Sequence, residues 1–233
     1  MGVKVRMRLQ VESLQARARH QAVAHFLHPG KTAGTAMKQA LRAAARPSRY
    51  RLRLHTHGVR MSDLPRGDKF FFVVRDPVDR FVSGFYSRQR QGRPRYERPW
   101  SEDEARAFGH FSTPQQLADA LAGEASARAQ AIDALGSIEH VRTSYWYWFA
   151  DPVTFRNRWN DVLFVGFQES LDDDLAVLAD RLGIESLTLP SGDVAAHRSG
   201  AQEPLSDTAR AALADWYRAD YEFVDLCREL SSG

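Results

Sequence analysis

Apolar residues along the chain come in short blocks whose spacing switches between two periods. Ala22-Val23-Ala24-His25-Phe26-Leu27 is a continuous apolar run ending at Pro29-Gly30, the pattern of a buried strand followed by a turn. Residues 35–45 are rich in alanine and other helix formers, so strand, tight loop and helix follow in order. Tyr50 to His55 reads as a second strand. Lys69 to Val74, with three consecutive phenylalanines, is the clearest strand and is stopped by Asp76-Pro77. Phe81, Val82, Phe85 and Tyr86 then recur at helical spacing over 78–89, and a Gly/Pro/Arg loop covers 88–99. Thr113-Pro114-Gln115-Gln116 is a capping box that opens a helix to about Ala122. Trp146 to Phe149 is an aromatic-rich helix or turn, and Asp161 to Phe167 a further strand. Ser170 caps a helix that Gly183 stops near Leu182, and Ser206 caps a last helix to about Leu230. Residues 1–20 mix basic and apolar positions without a clear period and read as an arm or an extra helix. Strands alternating with helices predict a three-layer α/β architecture around a central, mainly parallel sheet, with 21–233 as a single domain.

Composition narrows the class. At 43% hydrophobic and 26% charged over 233 residues, the chain is neither disordered, collagen-like nor a coiled coil. A single cysteine, Cys227, excludes a disulfide framework and a cysteine-based zinc site, and fits a reducing compartment. No apolar run approaches the ~18 residues of a membrane helix. The Arg-rich start lacks the apolar core of a secretory signal, and Arg6 spoils a myristoylation match after Gly2. The expectation is a soluble, cytoplasmic protein with no integral membrane segment. Charge changes the picture more. Residues 1–110 carry 19 Arg and 4 Lys against 9 acidic residues, a balance of +14, whereas 111–233 balance at −11. Half the chain therefore suits an anionic partner, whether nucleotide, nucleic acid or acidic polymer.

Two segments carry candidate chemistry. The first, His28-Pro29-Gly30-Lys31-Thr32-Ala33-Gly34-Thr35, joins a predicted strand to a predicted helix. Small residues let backbone N–H groups approach an anion, the helix N-terminus adds partial positive charge, and Lys31 supplies a full one. It is not a Walker A loop, since the glycine required six residues before the lysine is His25. The second runs Arg75-Asp76-Pro77-Val78-Asp79-Arg80-Phe81-Val82-Ser83-Gly84-Phe85-Tyr86 from the end of the clearest strand, the edge at which open α/β sheets bind ligands. Arg75 can fork a phosphate and Ser83 can add a hydroxyl.

Together the two segments resemble the motifs of the sulfotransferases that use 3′-phosphoadenosine 5′-phosphosulfate (PAPS). In that family a Pro-x-Lys-Thr-x-x-Thr type loop holds the 5′-phosphosulfate, and an Arg-Asp-Pro-x-x-Arg-x-x-Ser-x-Tyr segment holds the 3′-phosphate. Pro29, Lys31, Thr32 and Thr35 match the first; Arg75, Asp76, Pro77, Arg80, Ser83 and, one residue late, Tyr86 match the second. The resemblance is closest to the carbohydrate branch that includes heparan sulfate 2-O-sulfotransferase, and to its soluble bacterial relatives. His55-Thr56-His57 matches that branch's His-x-His pair, Val165-Gly166-Phe167-Gln168-Glu169 its next strand, and His197-Arg198-Ser199-Gly200 a basic loop over the nucleotide.

The resemblance implies a three-layer, P-loop-like sulfotransferase fold, PAPS as donor with PAP as product, and no metal. It implies that residues 29–35 with Arg75, Ser83, Arg198 and Ser199 bind the donor, and that Lys31 stabilises the bridging oxygen. An acceptor proton suits a histidine base. Alternation places His55 and His57 on one side of an extended segment, with His57 read as the base and His55 as its support. Arg88, Arg90, Arg93 and Arg95 crowd one loop and would suit a hydroxylated, acidic or glycan acceptor; a solvated loop explains them equally well. His28 and Lys38 are further candidates to line the cleft. The Trp146–Phe149 cluster is read as core, with a sugar-stacking wall as the other option, and Trp216, Tyr217, Tyr221 and Phe223 as core. Two other functions stay open: an ATP-dependent kinase or nucleotidase of P-loop type, and a basic nucleic-acid binder, which the strand-edge placement of the arginines disfavours.

Overall fold

The computed structural model describes residues 2–44, 49–94, 96–190 and 203–232. Its contacts divide the chain into two compact units, residues Met1–Arg75, Tyr145–Arg198 and Phe223–Gly233 in one, Asp76–Ser144 and Ser199–Glu222 in the other.

The first unit is α/β. Four strands, β1 (Ala22–Phe26), β2 (Tyr50–Leu54), β3 (Lys69–Val74) and β4 (Val162–Phe167), form one sheet in the order β2-β1-β3-β4, every pair parallel. Chain connections leave β1 toward β2 on one side and β3 toward β4 on the other. The order of strands therefore reverses between β1 and β3, and this is the crevice where open α/β sheets bind ligands. Phe70, Phe71 and Phe72 are each 0% exposed, worth roughly 1.5–3 kcal/mol apiece. Their alternation serves both faces. Phe70, Phe72 and Val74 pack with Phe149 and Phe155, from short helices α7 (Trp146–Phe149) and α8 (Pro152–Arg156), and with Phe223. Phe71 and Val73 pack against Met37, Ala40 and Leu41 of α2 (Gly34–Ala43) and Leu175, Leu178 and Leu182 of α9 (Leu171–Leu182). Helix α1 (Gly2–Ala18) buries Leu9, Ser13 and Ala16, a stripe three and four residues apart.

The second unit is helical. It holds α3 (Pro77–Gln89), α4 (Glu102–His110), α5 (Pro114–Ala122), α6 (Ala125–Ser137) and α10 (Asp207–Trp216) around Phe81, Phe85, Leu117, Leu121, Leu135 and Leu213. Helices α4 and α6 fall where the apolar pattern gives no element. For α4 the signal was Ser101-x-x-Glu104, a capping box with both hydrogen bonds formed.

Several local expectations are corrected. Thr113 Oγ1 accepts the Gln116 amide at 3.1 Å, but Gln116 Oε1 takes the Ser112 N–H and hydroxyl instead of closing the box. Ser170 occupies the cap position of α9 without capping it, because its hydroxyl donates to Asp174 at 3.1 Å. Gly183 ends α9 in the left-handed region, φ 71°, as a helix stop requires. The last predicted helix is two, α10 and α11 (Arg218–Ser231), broken at Tyr217, whose phenol turns inward to donate to the Val141 carbonyl at 3.1 Å. Trp216, read as core, is 41% exposed.

Candidate active site

The loop after β1 is shaped by its own sequence. Lys31 (φ 68°) and Ala33 (φ 57°) both adopt the left-handed backbone that non-glycine residues avoid. Two such residues within three positions mark a loop held in shape by its surroundings. The buried Thr32 hydroxyl donates to the Pro29 carbonyl at 3.0 Å, which closes the turn. Gly34 is required by packing: a Cβ there would stand 1.8 Å from Cδ2 of the buried His28 ring. Ala33 sits at the cap position of α2 and gives no side-chain hydrogen bond, so the first-turn amides have no side-chain cap. Lys31 and Thr35 are half-buried beside them. A helix N-terminus without a side-chain cap, a lysine and a strained small-residue turn are the features from which anion-binding loops are built.

Arg75 follows β3 directly. The Tyr145 phenol, fully buried, accepts from the Arg75 N–H and donates to its carbonyl, both at 2.9 Å, which fixes the peptide that aims this guanidinium. Nothing in the sequence reading singled out Tyr145 for that task.

The two histidines after β2 part company. Strand pairing ends at Leu54, and His55 turns inward while His57 is exposed. His57 Nδ1 lies 2.9 Å from the His28 carbonyl, so Nδ1 carries the hydrogen and the lone pair of the neutral ring is on Nε2. Its ring lies tilted at 44° against that of His28 with centroids 4.0 Å apart, and its own carbonyl accepts from Trp148 Nε1 at 2.8 Å. His55 instead bonds through Nε2 to His25 Nδ1 at 2.8 Å, and His25 Nε2 meets Asp68 Oδ2 at 3.1 Å. Burial, and then the charges of His25, Arg8, Arg53 and Lys38, lowers the His55 pKa to about 3, so the ring is neutral. Burial works to raise Asp68, yet hydrogen bonds from His25, Ser13 and Arg17 outweigh it and hold the carboxyl below its ordinary value. The sequence reading missed His25 and Asp68. The available signal was a histidine inside an otherwise apolar strand.

In the helical unit, Ser83 is half-buried on α3. Asp76 caps that helix, accepting from the Asp79 amide at 2.9 Å and from the Tyr221 hydroxyl at 2.7 Å. Arg80 is a buried structural arginine, 3.1 Å from Asp220. Arg88 is likewise withdrawn from the acceptor group: it is 1% exposed and donates through Nε and Nη2 to Glu104, each at 2.7 Å. Arg90 and Arg93 are exposed, Arg93 paired with Glu97. Arg95, Arg198 and Ser199 lie outside the described residues. Of the aromatic cluster, Trp148 and Phe149 are core, and Tyr147 alone is open, 42% exposed under the Arg60 guanidinium at 3.9 Å.

Among the described residues no group of three His, Cys, Asp or Glu side chains could hold a metal, and no helix is long and apolar enough to cross a membrane. No curated protein matches the chain. The sequence does match the sulfotransferase family over residues 18–225, a span that includes the loop at 28–35, the histidines and Arg75, and the chain belongs to that family.

Proposed function

We propose that the chain transfers the sulfuryl group of PAPS to a carbohydrate hydroxyl. The observation that carries this reading is the loop at 28–35, with its uncapped α2 amides beside Lys31. A phosphosulfate suits that loop because its charge is spread over oxygens that several N–H donors can share. Residues 29–35 hold the 5′ end of the donor, and Arg75, the residue next to β3, grips the 3′-phosphate that separates PAPS from ATP.

Transfer needs little covalent help from the protein. The acceptor oxygen attacks sulfur in line, the bond from sulfur to the bridging oxygen breaks, and the leaving phosphate takes the electron pair. Lys31 offsets the charge that builds on that oxygen. The hydroxyl proton passes to Nε2 of His57, whose tautomer the His28 carbonyl sets. For acidic substituents on the acceptor this reading uses the exposed Arg90 and Arg93.

The deciding experiment is thermal denaturation with PAP, AMP and magnesium-ATP. At ~100 times its Kd a ligand adds about 2.7 kcal/mol, or about 5–10 °C at this size. Strong stabilisation by PAP, a weak response to AMP and none to magnesium-ATP are expected. Arg75→Ala should remove most of it, roughly 1.5–3 kcal/mol for a lost charged contact, without changing the weak response to AMP. Stabilisation by magnesium-ATP alone, or equal losses for both nucleotides, would overturn the assignment.

A further inference from the structure

Helix α1 is apolar on two faces, and the fold uses one of them. Leu9, Ser13 and Ala16 are buried against the α/β unit. Val3, Met7, Val11 and Leu14 are instead 74%, 57%, 53% and 63% exposed. At 3.6 residues per turn those four fall within about 80° of one another, roughly opposite the buried stripe. Apolar positions on both faces cancel any single period, which is why the sequence of residues 1–20 shows none. One exposed aliphatic side chain is ordinary at a protein surface, whereas four in a row on one helix form a patch.

Charge argues for what covers that row. Lys4 and Arg8 border it on one side, Arg6 and Arg17 on the other, and all four are exposed. The one acid of α1, Glu12, points away from the row and is bound to Arg53 at 3.0 Å and to Arg8 at 3.8 Å. A second copy laid on the row in either direction would therefore set these cations against their own likenesses, with no free acid between them. A protein partner would find aliphatic side chains without the aromatic anchors that fill pockets at protein interfaces. A lipid surface asks for less. Hydrocarbon takes any apolar side chain without a matching shape, and anionic headgroups take the cations on either side.

We propose that α1 is a membrane-surface helix, lying along an anionic bilayer with Val3, Met7, Val11 and Leu14 at the acyl boundary and Lys4, Arg6 and Arg8 among the headgroups. It lies on the bilayer and does not cross it, being 17 residues long with charges along its length. The buried face matters as much as the exposed one. An isolated helix of this length is marginal in water. Here Leu9 sits in the core, and Ser13 and Arg17 donate to the buried Asp68 at 2.7 and 3.0 Å. The helix is thus formed before it meets lipid, and binding is spared the cost of ordering it.

Sedimentation of the full chain with vesicles reads the contact directly. Vesicles mixing phosphatidylserine with phosphatidylcholine should carry the chain down, vesicles of phosphatidylcholine alone far less, and added salt should weaken the binding. Lys4→Gln combined with Arg6→Gln should lower the affinity about 25-fold, since each such cation is worth about fivefold near an anionic surface. Met7→Gln combined with Leu14→Gln removes apolar surface and no charge. It should lower the affinity by about tenfold or more and leave the melting temperature unchanged, because both side chains are exposed. Unaltered affinity in that second variant would reduce the binding to the attraction of any basic chain and overturn the proposal. A dimer in analytical ultracentrifugation that the same two substitutions dissolve would give the row to a second copy. A monomer that ignores anionic vesicles even at low salt would leave the row to an acidic protein partner. Neither PAPS nor the acceptor enters these measurements, so their failure leaves the proposed transfer untouched.

Discussion

Each unit of this protein buries carboxylates and positively chargeable groups, yet the two do so to different ends. In the helical unit, Arg80 meets Asp220 at 3.1 Å and Arg88 meets Glu104 at 2.7 Å, with all four side chains at most 5% exposed. These pairs are closed. Guanidinium stays protonated at any relevant pH, and the carboxylates spend their remaining lone pairs on neighbours: Asp220 on the Ser144 hydroxyl, Glu104 on the amides of Ser101 and Glu139. In the α/β unit, the Asp68–His25–His55 chain lies at the same depth but sets two imidazoles against its carboxylate instead of a guanidinium. Burial of charge is therefore no sign of function by itself. What separates the two cases is that a guanidinium keeps its charge at any relevant pH, whereas an imidazole can change its own.

The sharpest way to break the comparison is to remove one partner on each side. Arg80→Ala leaves Asp220 buried without its counter-charge and should cost about 3–5 kcal/mol, read by urea denaturation. Asp68→Asn leaves a neutral side chain that can still hydrogen-bond Ser13 and Arg17, so its cost in stability should be clearly smaller than that of Arg80→Ala. If Asp68→Asn proves the more destabilising of the two, the distinction between the two clusters fails.

Acid should separate the clusters a second time. The His55 pKa is lowered from 6.5 to about 3 by burial and by His25, Arg8, Arg53 and Lys38. Between those values the unfolded chain binds a proton that the native state refuses, so stability falls as pH drops from about 6.5 toward 3. Glu104 is lowered from 4.5 to about 2, its burial outweighed by hydrogen bonds from Arg88 and from the Glu139 and Ser101 amides. Its contribution is complete above 4.5 and is lost as pH falls toward 2. Denaturation at pH 6 and pH 5 lies inside the first window and outside the second. His55→Gln should flatten the slope there by up to ~1.4 kcal/mol per pH unit, the value for one proton. An unchanged slope would mean that His55 takes up its proton in the folded state.

How far these sites could be read from the sequence follows the same division. The β1–loop–α2 unit, β3 and Arg75 were legible because a parallel sheet writes its strands as continuous apolar runs and its ligand loops as punctuation between them. The helical unit was only half legible. Helix α6 carries alanines around much of its surface, so no apolar stripe stands out in Ala125–Ser137. The break at Tyr217 depends on where that phenol finds a carbonyl, a long-range fact that no local pattern encodes. The His-x-His spacing was readable, but the partition of the pair was not. Alternation holds only while the strand lasts, and the strand stops at Leu54. Asp68 and His25 are 43 residues apart, and only the pairing of β1 with β3 brings them together.

The smallest expected effect lies within a single arginine-rich loop and tests the comparison at its finest grain. Arg88 and Arg93 are five positions apart, and charge counting treats them alike. One is buried against Glu104; the other pairs with Glu97 while 62% of its side chain is exposed. Exposed pairs gain little, because water screens the attraction and two long side chains lose freedom. Arg93→Ala should therefore change stability by less than ~0.5 kcal/mol, whereas Arg88→Ala should unfold the chain at markedly lower urea. Turnover gives Arg93→Ala a second reading. If the loop meets an acidic acceptor, the variant should raise the acceptor KM, more so at low salt than at high salt, and leave PAP binding unchanged. An Arg93→Ala protein with unaltered KM at every ionic strength would return this loop to solvent, and with it the only positive charge the helical unit offers to a glycan from residues 88–93 besides Arg90.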